Sequence, residues 1–265
     1  EFKEHPGLYG AGQFNGTSGY EEAAAQGLIA GINAALYVLG KPAFTLSRDS
    51  SYIGTLIDDL VTKGTNEPYR IMTSRSEYRL LLRQDNADRR LMSYGYELGL
   101  IDQARYDEFK KKYEGVDEEI KRIRSTNLAP SKQLDELLDK YGSTRAENGI
   151  CLAELMRRPE LGYEELAPVD PSRPDGLSRR QRQAVEIEIK YEGYIRRQIR
   201  DAERFSKLEG KKIPPDTDYF AIQGIRAETK QKLSKIKPES IGQASRISGV
   251  SPADIQVLMI YFGIN

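Results

Sequence analysis

The 265-residue sequence predicts a mainly α protein. Apolar residues recur at spacings of three and four along most of the chain, and Ser or Asp residues stand where helices would begin. Only one short segment, near the start, has the pattern of a strand. We therefore expect helices packed on helices, with a single strand and a glycine turn ahead of the first helix.

The strand is predicted over the segment GLYGAGQ, residues 7–13, and a glycine-rich turn follows it. Apolar residues at helical spacing then predict a helix from residue 20 to residue 40. Gly40 and Pro42 end this helix in the order that is typical of helix C-termini. A first domain is expected at residues 1–45.

The middle of the chain, residues 46–212, predicts a helical domain. Ser74 and Glu77 match a capping box and predict a helix through SRSEYRLLLRQ, and a second helix is expected at 86–94. Asp102 is expected to cap a long helix whose buried stripe runs from Tyr106 to Ile123. Prolines interrupt residues 126–178, leaving short helical pieces at 134–138 and 151–156. Ser178 predicts one long helix to about Leu208, with a buried side formed by Ile187, Tyr191, Tyr194, Ile195, Phe205 and Leu208.

The last part, residues 213–265, predicts a small helical unit. A break at KKIPPD, residues 211–216, precedes three short helices at about 227–236, 240–247 and 251–262. The last two resemble a helix-turn-helix DNA reader. The would-be recognition helix PADIQVLMIYF carries no Arg, Lys, Asn or Ser, so we expect no specific DNA binding.

Composition excludes several classes of protein. Lys and Arg together number 40, as do Asp and Glu, so a uniformly basic nucleic-acid binder is excluded and only local patches remain. A single Cys excludes an internal disulfide framework, and the sole histidine, His5, has no ligand-type neighbour, so no metal site is expected. Without an apolar run of membrane length or a signal-peptide pattern, a cytoplasmic location is expected.

Two features suggest binding. The loop AGQFNGTSG before a helix offers backbone amides to an anionic or electron-rich ligand, although such loops are equally often plain tight turns. Arg75, Arg79 and Arg83 recur every four residues, and Arg90 falls near the same azimuth, which predicts a basic stripe for phosphate contacts. The alternative is a solvated face paired with nearby acids. The long helix after Ser178 is a second basic segment, in which Tyr191 and Tyr194 are interpreted as core rather than as base-stacking platforms.

Four segments resemble the MnmG/GidA family, flavoproteins that modify the wobble uridine of certain tRNAs. They are GQFNGTSGYEEAAAQG at 12–27, RDSSYIGTLIDDLVTKGTNEPYRIMTSRSEYRLLLRQDNADRRL at 48–91, IKYEGYI at 189–195 and IGQASRISGVSPADI at 241–255. The family's upstream phosphate loop and cysteines are absent, and the chain starts at Glu1. The resemblance therefore implies the C-terminal portion of a longer protein: a strand-helix remnant of an FAD-binding α/β domain, a helical domain and a C-terminal helical bundle.

The resemblance also implies binding residues. FAD would be held by Gly12, Gln13, Asn15, Gly16, Thr17, Gly19 and Tyr20. With the other half of that site missing, this chain alone would bind FAD weakly or not at all. tRNA would be contacted by Arg48, Arg70, Arg75, Arg79, Arg83, Arg90, Arg196 and Arg197. A partner protein would be contacted by Gly242, Gln243, Ser245 and Arg246.

The function that the resemblance implies belongs to the full-length protein. With the partner GTPase MnmE, it would install a 5-carboxymethylaminomethyl or aminomethyl group on wobble uridine, and it would form homodimers. This part would contribute tRNA and MnmE binding without being catalytically competent alone, and no catalytic residue is assigned in it. The alternative from another class is a stand-alone helical module that binds tRNA and protein.

Overall fold

The computed structural model describes residues 1–2, 4–65 and 67–263, and helices dominate it. The helices, in chain order, are α1 Tyr20–Val38, α2 Tyr52–Thr62, α3 Ala87–Glu97, α4 Gln103–Ser125, α5 Lys132–Lys140, α6 Leu152–Met156, α7 Arg179–Lys190, α8 Glu192–Glu209, α9 Ala227–Ile236, α10 Ile241–Arg246 and α11 Pro252–Tyr261. Strands β1, Asn127–Leu128, and β2, Ile150–Cys151, pair antiparallel. The chain divides into two compact units, one of residues 1–82 with 198–265 and the other of residues 83–197.

The unit of residues 83–197 is built around the packing of α4 against α7. Asp102 caps α4 by accepting a hydrogen bond from the Arg105 amide, and a full capping box opens α7 at Ser178. The buried side of α4 ends in Val116, Ile120 and Ile123, which join apolar residues of α5, α6 and α7 in one core. The stripe predicted on α4 is confirmed at these positions.

The other unit contains a separate core at its C-terminal end. Residues from 213–225 and from α9, α10 and α11 bury Ile222, Leu233, Ile241 and Leu258 together. Ser240 and Ser251 cap α10 and α11 with their hydroxyl oxygens. The three short C-terminal helices predicted from the sequence are confirmed within one residue of their expected ends.

Two predicted elements are wrong. The strand over residues 7–13 does not form, because Gly7 and Gly12 adopt φ of 86° and 81°, and residues 12–15 make a 3-10 turn instead. The helix opened by Ser74 also does not form: a 3-10 turn spans Thr73–Arg75 and Ser76 is extended. Tertiary contacts replace it, since Gln198 accepts hydrogen bonds from the amides of Leu80 and Leu81.

The long helix predicted from Ser178 is interrupted. Tyr191, with φ of −98° and ψ of 5°, ends α7, and α8 begins at Glu192. The break changes which side chains are buried: these are Val185, Ile189 and Ile195 in the unit of residues 83–197, and Ala202 in the other unit. The core assignment of Tyr191 and Tyr194, and that of Phe205, is wrong, because these rings are exposed. The predicted division of the chain into 1–45, 46–212 and 213–265 stays a prediction.

Candidate functional site

The glycine-rich segment before α1 forms a tight turn that is held by hydrogen bonds to the side chain of Gln26. Gly12 and Gly16 flank the 3-10 turn in the left-handed region, where a side chain would be strained. Gln26 is buried, and its side-chain oxygen Oε1 accepts hydrogen bonds from the Gly12 amide at 3.2 Å and from Asn15 Nδ2 at 2.9 Å. Its side-chain nitrogen Nε2 donates to Thr17 Oγ1 at 2.9 Å. These bonds fix the conformation of the turn.

The turn leads into an α1 N-terminus without a side-chain cap. Gly19 is the extended N-cap residue and makes no capping bond, so the first-turn amides are not satisfied by it. Buried Glu22 lies directly beside it: a Cβ built on Gly19 would come within 1.8 Å of Glu22 Oε2. A side chain at this position would force the Glu22 carboxylate to move.

Glu22 uses one of its two carboxylate oxygens. Oε1 accepts from the Ile71 amide at 2.7 Å and from Arg70 Nε at 3.3 Å. Oε2 is buried and has no hydrogen-bond partner among the described residues. Burial raises the pKa of Glu22, but the bonds from Ile71 and Arg70 outweigh it, so its pKa lies below the ordinary value and the group is ionised at neutral pH.

These groups define what the turn can bind. It offers backbone donors at the start of α1 next to an unsatisfied carboxylate oxygen, which is a pairing suited to a neutral ring edge that carries both carbonyl and N–H groups. Glu21 and Glu22 in the first turn of α1 repel an anion, so the arrangement does not suit a phosphate. Gln13 and Tyr20 are exposed beside the turn.

The predicted arginine stripe is not a feature of one helix. Arg75 ends a 3-10 turn and stacks over Tyr69 at 5.1 Å, and Arg79 is exposed in the following turn. Arg83 and Arg90 belong to the other compact unit. There Arg83 pairs with Asp85 and Glu188, and Arg90 donates to Asn86 Oδ1 and to the Arg83 carbonyl.

Arg48 lies at the centre of a buried ion-pair network. Its side chain is 8% exposed and donates to Asp58 at 2.9 Å, to Asp59 at 2.7 Å and to Glu77 at 2.9 Å. Burial raises the pKa of Asp59, but bonds from Lys63, Tyr69 and Arg48 hold it below its ordinary value. A guanidinium used in this way is not presented to a phosphate.

The four predicted partner residues also make internal contacts. Arg246 donates to both oxygens of Asp58, at 2.7 and 2.8 Å, and also contacts Glu209. Gly242 is packed so closely that a Cβ would approach the Glu209 carboxylate to 2.5 Å. Gln243 accepts from the Glu239 amide, and the Ser245 hydroxyl donates to the Gly242 carbonyl. In this structure the four residues stabilise the fold around α10.

Glu22 and Gln26 are candidate site residues that the sequence did not predict. A signal was present: they are four residues apart in YEEAAAQG, so they lie on the same helix face, and Asn33 continues the polar positions toward the end of α1. All three are buried. Within residues 1–2, 4–65 and 67–263, no cluster of three His, Cys, Asp or Glu side chains that could hold a metal ion is found. No helix over the same residues has the length and apolar character needed to cross a membrane.

Comparisons with known proteins match this architecture segment by segment. Residues 103–199 match the family described as "tRNA modifying enzyme MnmG/GidA C-terminal helical domain", residues 201–264 match "tRNA modifying enzyme MnmG/GidA C-terminal helical bundle", and residues 1–42 match "Glucose inhibited division protein A". Together these matches account for most of the chain.

Individual relatives agree with the family matches. The tRNA uridine 5-carboxymethylaminomethyl modification enzyme MnmG of Caldicellulosiruptor saccharolyticus is 61% identical over 261 residues, covering 98% of this chain and 42% of the relative. The enzyme of the same name from Clostridium kluyveri is 56% identical, with 41% of it covered. The structure of Aquifex aeolicus GidA in a crystal form called form II superposes with a TM-score of 0.84 at 43% identity, over 99% of this chain and 41% of that one. The chain thus spans about two fifths of the length of these relatives.

Proposed function

The chain belongs to the MnmG/GidA family, and from this premise we propose that it is the C-terminal part of an FAD-dependent enzyme that modifies the wobble uridine of tRNA. The observation that carries the proposal is the turn from Gly12 to Tyr20, which leads into an α1 N-terminus without a side-chain cap and lies beside a Glu22 oxygen that has no hydrogen-bond partner among the described residues, in the segment that matches the family.

The residues of this turn fit one edge of a flavin. Gly12, Asn15, Gly16 and Thr17 would shape the backbone, and the amides after Gly19 with Glu22 Oε2 would bind the ring edge. When bound, the flavin supplies the redox chemistry of the modification. The residues of this turn would orient the ring edge, and the carboxylates of Glu21 and Glu22 would disfavour a phosphate group at this end of α1.

tRNA binding is proposed for the exposed arginines. Arg70, Arg75 and Arg79 in one unit, and Arg196 and Arg197 in the other, have side chains that reach solvent. Arginine in such positions contacts phosphates through its planar fork. For Arg48, Arg83 and Arg90 the structure offers internal partners instead, so a contact with tRNA has less support at these positions.

Docking of the GTPase MnmE is proposed for the C-terminal bundle. Gly242, Gln243, Ser245 and Arg246 would maintain its shape, while Ile260 and Tyr261 of α11 expose apolar surface. Such side chains are the usual anchors of a protein interface. With this partner, the full-length enzyme would install the 5-carboxymethylaminomethyl or aminomethyl group, acting as a homodimer in the cytoplasm.

A chimera tests the enzymatic part of this proposal. In the Caldicellulosiruptor saccharolyticus relative, the matching segment is replaced by this chain, and wobble-uridine modification is measured by mass spectrometry of tRNA. We expect a yellow, active protein. Gly19→Ala should lose flavin absorbance because its Cβ collides with Glu22 Oε2, whereas Gly27→Ala, which meets no atom within 4 Å, should retain it. A colourless chimera with intact folding contradicts the proposal and favours the binding-module alternative.

Binding of unmodified substrate tRNA at two salt concentrations tests the RNA part. The variant Arg70→Gln, Arg75→Gln and Arg79→Gln should bind more weakly and show a flatter salt dependence, because each lost phosphate contact removes counterion release. A triple variant at Lys132, Arg145 and Lys230 (each →Gln) removes the same charge as a control. Equal affinities of both variants would place tRNA contacts elsewhere.

A further inference from the structure

A single glutamate gathers arginines from three elements in the unit of residues 83–197. Glu192, the first residue of α8, is 11% exposed, and its carboxylate accepts from Arg124 at 3.0 Å, from Arg157 at 2.6 Å and from Arg196 at 2.5 Å. Arg124 lies in the last turn of α4, Arg157 follows α6 and Arg196 lies on α8. We call these four residues the Glu192 cluster.

The Glu192 cluster carries an excess of positive charge. Burial raises the pKa of Glu192, but the arginines outweigh this and hold it below its ordinary value, so one ionised carboxylate balances only one of three cations. The bonds to Glu192 engage Nη2 of each guanidinium, and the arginine side chains are 45%, 46% and 70% exposed. Most of their five N–H donors therefore remain available to an anion.

Convergence is what separates this cluster from an ordinary solvated helix face. Cations on a surface repel one another and keep their rotamer freedom, and an isolated i,i+4 pair contributes little. Here one mostly buried carboxylate holds guanidiniums from α4, from the residue after α6 and from α8 close together, so the free-energy cost of bringing them together does not have to be met when a ligand binds.

A cavity with an aromatic wall adjoins the cluster. Its volume is about 540 Å³, within the range of small-ligand sites, and Arg157, Arg196, Arg197 and Tyr194 line it. The Tyr194 ring is exposed, and Gly193 leaves open space where a side chain would stand. An exposed aromatic ring beside converging guanidiniums is the combination that holds a base by stacking and its phosphate by charge-assisted hydrogen bonds.

We propose that the Glu192 cluster and Tyr194 form a preassembled site for one nucleotide of single-stranded RNA, with Arg157 and Arg196 binding its phosphate and Tyr194 stacking on its base. Glu192 acts as a positioning residue that aims the guanidiniums and does not touch the RNA. The proposal rests on the proposed function in taking RNA as the polyanion. A duplex would offer its phosphates but no unstacked base to Tyr194.

Fluorescence anisotropy of a labelled single-stranded RNA hexamer on the intact chain tests the site. Arg157→Gln with Arg196→Gln should weaken binding about tenfold and flatten the log–log salt slope by about 0.7 for one lost phosphate contact. Tyr194→Ala should weaken binding by at least about fivefold, and Tyr194→Phe should retain it. Lys132→Gln with Arg145→Gln removes the same charge from the same unit and should bind like the original chain.

Glu192→Gln distinguishes preassembly of the site from general attraction between positive charge and RNA, because the two predict changes of affinity in opposite directions. General charge attraction predicts tighter binding, because the variant is more positive by one charge. Preassembly predicts weaker binding, because glutamine lacks the negative charge that holds the guanidiniums and replaces one of the two acceptor oxygens by an NH2 donor. Far-UV circular dichroism checks that each variant is folded, and Arg157→Lys with Arg196→Lys, which retains the charge but not the planar fork, should still lose part of the affinity.

The outcomes separate this site from the broader tRNA proposal. If intact tRNA binds but the hexamer is indifferent to the arginine and Tyr194 variants, the nucleotide site is overturned and the tRNA proposal stands on other residues. Tighter binding by Glu192→Gln also overturns it. If the chain binds neither RNA, both proposals fail. Selective loss of hexamer binding, with the matched control unchanged, supports the site.

Discussion

Replacing Arg48 by methionine tests whether the most buried arginine of the chain holds the fold or contacts RNA. The substitution preserves most of the side-chain volume and removes the charge, together with the bonds to Asp58, Asp59 and Glu77 and to the carbonyls of two further residues. We expect a large loss of stability and no separate loss of RNA affinity.

The magnitude follows from what remains around the site. Breaking a buried ion pair costs about 3–5 kcal/mol when the partner is left uncompensated. Asp59 keeps Lys63 at 2.7 Å and the Tyr69 hydroxyl at 2.8 Å, and Asp58 keeps Arg246. Both carboxylates therefore keep a partner, so the expected loss in free energy of unfolding is near the lower end of this range, about 3 kcal/mol. For a unit of this size that lowers the melting temperature by roughly 6–12 °C.

Calorimetry and RNA binding measured on the same preparations distinguish the roles. Scanning calorimetry should show the lowered transition in Arg48→Met, while Arg75→Gln, which removes an exposed cation stacked on Tyr69, should cost less than about 1 kcal/mol. Below its melting temperature, Arg48→Met should bind tRNA like the original chain. An unchanged melt together with a tenfold loss of tRNA affinity would refute the structural role.

Three further predictions concern the same unit. The pKa of Asp59 is lower in the folded state than in the unfolded state, so ionised Asp59 stabilises the fold above its unfolded pKa near 3.9, and this contribution is lost as the pH falls further. The free energy of unfolding should therefore decline below about pH 4, and it should decline less steeply in Asp59→Asn. Gln26→Ala should cost about 2 kcal/mol in urea titrations, against almost nothing for exposed Gln13→Ala. Gly54→Ala should cost more than about 3 kcal/mol, since its Cβ meets the Ser47 carbonyl at 2.1 Å, whereas Gly31→Ala in open space should be neutral or stabilising.

Local signals explain which elements the sequence predicted. The caps at Asp102, Ser178 and Ser251 act within four residues, so the helices that they open can be recognised from the sequence. The segment after Ser74 has equally good local signals and still does not form a helix. Its amides at Leu80 and Leu81 bond to Gln198, more than a hundred residues away, and no local pattern contains that contact.

At the candidate site, too, the sequence shows which residues are present, whereas their contacts and exposure depend on the fold. The sequence identified the glycine turn because left-handed glycines leave a recognisable pattern. The pattern shows where the arginines stand in the chain but not which groups they pair with. Buried Arg48 and exposed Arg196 were therefore both predicted to contact tRNA. Exposure depended on where α7 ends, and the break at Tyr191 brought Tyr194 to the surface.

The ion-pair network also changes how the family-like segments are interpreted. Arg48 and Asp58 belong to the segment 48–91, Arg246 belongs to the segment 241–255, and Asp58 bonds to both arginines. Two of the four segments that resemble the family are therefore joined to each other by charged side chains inside one compact unit. Arginine and aspartate in such a motif can specify a fold as strictly as they specify a ligand. Binding residues should accordingly be sought among the cations of these segments that are exposed at the surface, such as Arg79.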